Sequence, residues 1–144
     1  MLLQLIVGSF AVTLTTVVEA LFIGGAIQAL ERAGPWLAAA PHTRKTMLAL
    51  LGVTLWLLAA LSTCVWIWAA LLMVVGAFEA LEPALYFSVV AFTTLGFGDI
   101  TLSQPWRLLS GISAANGLLL FGLSTAFLVE FLGRLRQAQA LSIP

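Results

Sequence analysis

Residues 93–100 read TTLGFGDI and interrupt a chain that is otherwise strongly apolar. Two threonines precede glycines at 96 and 98, and Asp99 closes the stretch. Glycine takes positive φ without a Cβ penalty, so Gly96 and Gly98 let a short strand alternate its backbone hand. Such a strand turns successive carbonyls to one side. Those oxygens, with the Thr94 hydroxyl, are a ligand set for a dehydrated monovalent cation. Five residues reach at most about 17 Å, enough for several ions in file. One strand cannot surround an ion. Closed cyclic symmetry solves this, and four copies would supply about eight oxygens per ion.

Other chemistry is thinly represented. No nucleophile stands with a base, and there is no phosphate-binding loop, so no enzymatic activity is expected. Cys64 is the single cysteine and His42 the single histidine, which excludes an intrachain disulfide and a zinc-type cluster. Cys64 lies in an apolar run and reads as a buried structural thiol. The formal net charge is zero, so nothing suggests a nucleic-acid partner.

The elements that must position residues 93–100 belong to a membrane. Hydrophobic residues make up 62% of the chain and charged ones 8%, against roughly 25% charge in soluble domains. A bilayer-crossing helix needs about 20 apolar residues. Three stretches qualify: 2–30, interrupted by Gln4, Glu19 and Gln28; 47–78; and 108–129. The N-terminus lacks a basic leader region and is expected to be a retained helix rather than a signal peptide. The second stretch is long enough to tilt or protrude, with Trp66 and Trp68 expected near its outer interface. Gly34, Pro35 and Pro41 are expected to break the chain into a loop between the first two spans. Pro83 can open a helix at its first turn. The apolar run from Pro83 to Thr94 is 12 residues, too short to span and suited to a re-entrant segment.

Basic residues orient the chain. Arg32, Arg44 and Lys45 fall between the first two spans, and Arg134 and Arg136 follow the third. With three spans these lie on one side, and Arg107 alone lies opposite. The positive-inside rule then puts the C-terminus in the cytoplasm, and the N-terminus and re-entrant segment outside.

With these residues in view, ALYFSVVAFTTLGFGDI resembles the pore helix and selectivity filter of potassium channels, whose filters read TVGYG. Thr94, Leu95, Gly96, Phe97 and Gly98 match the five filter positions, and Asp99 the acid that follows. Trp106 and the segment NGLLLFGLSTAFL continue the match, with Gly117 at the usual gating-hinge position. The resemblance implies outer, pore and inner helices assembled as a homotetramer; with the first apolar span the expected fold is an all-α membrane protein of three transmembrane helices with a re-entrant pore helix and filter loop. The resemblance covers a pore domain at 47–136; an N-terminal helix and loop at 1–46 lie outside it, and a short tail is expected at 137–144. Within the pore domain, the outer helix is expected at 47–78, the pore helix at 83–94, the filter at 94–99 and the inner helix at 106–133. K⁺, the permeant ion, is implied to sit among the carbonyls of Thr94, Leu95, Gly96 and Phe97, in a bacterial inner membrane. Lipids, K⁺ and further copies of the chain are its implied partners.

Some positions depart from the family pattern. Leu95 replaces valine or isoleucine, and Phe97 replaces tyrosine and lacks its hydroxyl. Val90 stands where some bacterial members carry a glutamate bonded to the filter acid. Asp99 therefore needs another partner, and Tyr86 is the candidate; Thr93, Gly98 and Val90 complete the filter support. Asn116 either lines the cavity or bonds a neighbouring helix, with the cavity preferred. Gly117 is a hinge or a close-packing residue. Glu19 is either a functional intramembrane acid or bonded to Ser or Thr on another helix. Glu130 and Arg134 are spaced for a helical ion pair. His42 reads as a solvated loop residue. Two rival functions stay open beside a K⁺ channel: a non-selective cation pore on the same fold, and a non-conducting membrane subunit or scaffold.

Overall fold

A computed structural model of the chain describes residues 1–39 and 42–140. It contains α1 (Leu2–Ala38), α2 (His42–Val74), α3 (Leu81–Phe92), a short 3₁₀ turn (Gln104–Trp106) and α4 (Arg107–Ala140). No strand occurs among the described residues. Three helices are long and apolar enough to cross a membrane, over Leu2–Leu37, Thr43–Val74 and Gln104–Ala140. The fold is thus an all-α membrane architecture with α3 as the short element between two spans.

α1 runs through Pro35, so the expected break there does not occur. Proline removes only the bond to the carbonyl four residues earlier, and Pro35 lies in the last turn, where few bonds remain to lose. The end carbonyls are met by side chains from other helices. Lys45 Nζ donates to the oxygens of Trp36 at 2.6 Å and Ala39 at 2.7 Å. Gln139 Nε2 donates to that of Leu37 at 3.3 Å. The expected loop therefore shrinks to the few residues between α1 and α2; Pro41 and the His42 side chain lie outside the described residues.

α2 starts five residues and stops four residues earlier than the 47–78 expected of it. Its end is a left-handed glycine cap. Gly76 has φ 72°, its N–H reaches the Met73 carbonyl, and the Ala77 N–H reaches that of Leu72. Those two bonds are the Schellman pattern, and only glycine adopts this φ at little cost. α3 begins two residues before Pro83 and ends at Phe92, and α4 continues to Ala140, past the expected 133. α4 is carried on by packing: Phe131 and Leu135 are buried against Ala26 and Leu37 of α1 and Val53 and Leu57 of α2.

α1 is turned polar side in. Gln4, Gly8, Ala11, Thr15 and Glu19 are buried at helical spacing, while Leu3, Ile6, Phe10, Val17 and Leu21 are exposed. In hydrocarbon this is the stable arrangement, because polar groups find partners only on other helices. Gly8 admits close approach to α4, since a Cβ there would meet Ile112 Cδ1 at 2.6 Å. A second apolar cluster joins α2, α3 and α4 around Trp68, Leu72, Phe87, Phe92 and Leu109. Trp68 belongs to this core and is fully buried, so it is not the interfacial anchor expected of it. Trp66 is half exposed.

Candidate ion pathway

α3 is the lever that places residues 93–99. A Cβ at Gly117 would fall 1.9 Å from the Phe92 carbonyl oxygen, so the carboxyl end of α3 rests on α4 at that glycine. Gly117 is ten residues into α4, about 15 Å along its axis. That distance is about half the roughly 30 Å of hydrocarbon that α4 is long enough to cross. Its carboxyl end carries the partial negative charge of the helix dipole, with no basic residue in the last turn to offset it.

The helix unwinds through shared acceptors. Thr93 N donates to Val89 O and Thr94 N to Ala91 O; Leu95 N and Gly96 N both reach Val90 O, at 3.0 and 3.3 Å. The Thr93 hydroxyl is also spent locally, donating to Val89 O at 2.7 Å. Val90 thus supports the loop through its carbonyl, while its side chain is buried. Beyond it φ is positive at every second residue: 61° at Thr94, 58° at Gly96 and 78° at Gly98. The glycines were legible as left-handed positions. Thr94 was not, because a β-branched residue rarely adopts this region. Residues 94–99 are all exposed, Leu95 at 56% and Phe97 at 66%.

At the end of the loop the Tyr86 hydroxyl donates to Asp99 Oδ2 at 2.6 Å. The bond ties the acid back to the middle of α3, and Tyr86 is the partner anticipated for it. It holds the Asp99 carboxyl below the usual carboxylate range and raises the Tyr86 phenol, as expected when a hydroxyl donates to a charged carboxylate. A recess of about 570 Å³ lies alongside, lined by Thr94, Gly96, Gly98, Arg107 and Ser110.

Asn116 corrects the preferred expectation. It is buried at 2% exposure and donates through Nδ2 to Thr15 Oγ1 of α1 at 2.7 Å. It joins helices; it does not line a cavity. Thr15 Oγ1 in turn sits 2.8 Å from the Ala11 carbonyl, which leaves its oxygen free to accept. Glu19, fully buried, accepts from the Ser124 hydroxyl of α4, the serine bond considered for it, and its second oxygen has no partner among the described residues. Gln4 Oε1 accepts from Leu108 N at 2.9 Å and so satisfies a free N–H in the first turn of α4. Sequence reasoning missed Gln4 and Thr15 as partners. The signal was there: both share a helical face with Glu19. Glu130 and Arg134 form the expected ion pair at 2.7 Å, largely exposed.

Two helices long enough to cross a membrane thus bracket a short apolar helix and a loop of alternating backbone hand, the arrangement of a membrane pore. The family model described as ion channel matches residues 56–134. The chain belongs to that family, the pore-domain family of two-transmembrane-type K⁺ channels. It is an integral membrane protein of the class that conducts ions passively, and the family is generally oligomeric. Searches among curated proteins and among solved structures gave no match.

Proposed function

We propose that four copies of this chain form a K⁺-selective channel, with residues 94–98 of each contributing one strand of the filter. The observation that carries this reading is the alternation of positive φ at Thr94, Gly96 and Gly98 in an exposed loop between two helices long and apolar enough to cross a membrane. Irregular backbone cannot face lipid; it must be covered by protein or line a watery path. Copies meeting on an axis satisfy both demands. The carbonyls of Thr94, Leu95, Gly96 and Phe97 then replace the hydration shell of K⁺, and the Thr94 hydroxyl closes the inner end. Asp99 stands at the outer mouth, held by Tyr86.

Orientation follows from the basic residues. Arg32, Arg44, Lys45, Arg134 and Arg136 face the cytoplasm, and the N-terminus and Asp99 face outward. A bacterial inner membrane suits the resemblance to bacterial channels. Purified protein in liposomes tests the whole reading. K⁺ flux with little Na⁺ flux and block by barium is the expected result. Equal fluxes would make the pore non-selective, and no flux under any gradient would make the chain a non-conducting subunit.

A further inference from the structure

The half of the molecule furthest from the 94–99 loop holds an apolar groove of about 380 Å³ between α1 and α2, floored by Phe131 of α4. Its volume is that of a small-molecule site. Small residues, among them Gly25, Ala29 and Gly52, give it width. Trp56 bounds it at one end and is locked there, its indole N–H donating to the Phe22 carbonyl at 2.8 Å. Trp36 bounds it at the other.

The Trp36 end is charged in a fixed way. Lys45 Nζ lies 4.8 Å from the centroid of the Trp36 ring and bonds the Trp36 and Ala39 carbonyls. An ammonium has three donors, so one proton remains to offer. Arg32, near the end of α1, and Arg44, in the first turn of α2, are exposed close to the same junction, with Glu31 beside Arg32 in sequence. An apolar groove thus ends at a positioned cation near the junction of α1 and α2.

We infer that this groove binds a phospholipid with an anionic headgroup, its acyl chain along Ala29 and Gly52 and its phosphate at Lys45. In a bilayer the available apolar occupant is an acyl chain, and the cationic end selects the headgroup. Most of the groove comes from α1 and the start of α2, outside the residues 56–134 that match the family.

The test uses the full-length assembly in vesicles of equal parts phosphatidylcholine and phosphatidylglycerol, with retained lipid counted by mass spectrometry of the released complex. Phosphatidylglycerol is expected in excess over phosphatidylcholine. Ala29→Trp fills the groove from an exposed position and should abolish retention. Gly52→Leu, whose Cβ meets nothing within 4 Å, is a second filling variant should the first fold poorly. Lys45→Gln should lower the preference about five-fold, the weight of one basic residue at an anionic surface. Equal retention of both lipids by the wild type overturns the proposal. So does undiminished phosphatidylglycerol in folded filling variants.

Discussion

Gly117 of α4 lies against the carbonyl of Phe92, where a Cβ would come within 1.9 Å of the oxygen. A glycine in mid-helix usually costs up to about 1 kcal/mol relative to alanine. Here the sign should reverse. Gly117→Ala must push α3 and α4 apart, and overpacking of this kind costs about 1–3 kcal/mol. The thermal midpoint of the purified protein should fall, and the ion flux with it. A residue needed only as a hinge would lose mobility on substitution and keep its midpoint or raise it.

Ser124→Ala removes the one partner that Glu19 has among the described residues and leaves a carboxyl with two unbonded oxygens in the membrane interior. A buried polar group stripped of its partner costs about 1–3 kcal/mol, whereas replacing both partners by apolar groups is nearly neutral. Ser124→Ala should therefore destabilise more than the double variant Glu19→Leu with Ser124→Ala. Denaturation of the three proteins in the same detergent gives the order, and the reverse order would remove this bond from the list of what holds α1 to α4.

Thr15 and Asn116 should be coupled. Hydrogen bonds between membrane helices average about 0.6 kcal/mol and reach about 1.7. A double-mutant cycle of Thr15→Ala and Asn116→Ala is expected in the upper part of that range, because both groups are fully buried. Additive effects would mean that Asn116 has a different partner.

The Tyr86–Asp99 bond predicts a pH window. Asp99 is depressed by the Tyr86 hydroxyl, so its contribution is present above the ordinary carboxylate value and lost as pH falls through the folded one. Tyr86 is raised by Asp99, so its contribution is present below the ordinary phenol value and lost as pH rises through the folded one. The brace is thus intact across neutral pH. In Tyr86→Phe the carboxyl resonance of Asp99 should titrate at higher pH than in the wild type, and loss of conduction on external acidification should move the same way. An unchanged titration would remove Tyr86 as the brace.

Gly76 and Gly98 make a controlled pair. Both have left-handed φ, near 72° and 78°, and an added Cβ at either meets nothing within 4 Å. Alanine should cost each about 1–2 kcal/mol of backbone strain. Gly76→Ala should lower stability and leave the K⁺/Na⁺ flux ratio alone, because the cap only ends α2. Gly98→Ala should change that ratio. Equal effects on selectivity would count against residues 94–98 as the filter.

The crossing helices were legible because membrane-spanning stretches declare themselves by length and apolarity alone. The left-handed glycines at 96 and 98 were legible because glycine has few other reasons to alternate with bulky residues. Tyr86 was found by elimination, once Val90 could not serve Asp99. Pro35 misled, because a proline breaks a helix only where bonds remain to lose and where no side chain such as Lys45 meets the freed carbonyls. Asn116 and Trp68 misled for a shared reason. A polar or amphipathic side chain in a span says that it needs an unusual environment, and only packing says which neighbour supplies it. Gln4 and Thr15 were visible as residues but not as partners, since the rotation of α1 is set by α4.

That rotation bears on how separable the first helix is. The family-matched region, 56–134, contains Leu108, Asn116 and Ser124, whose polar groups are met by Gln4, Thr15 and Glu19 of α1. Without α1 those groups would be left at or within the bilayer without their partners, and the cost is several times what a single membrane hydrogen bond returns. The dependence is mutual, since Gln4 and Glu19 of α1 are buried and lose their partners without α4. In this chain the first helix is wired into the pore unit by polar bonds as well as by apolar packing.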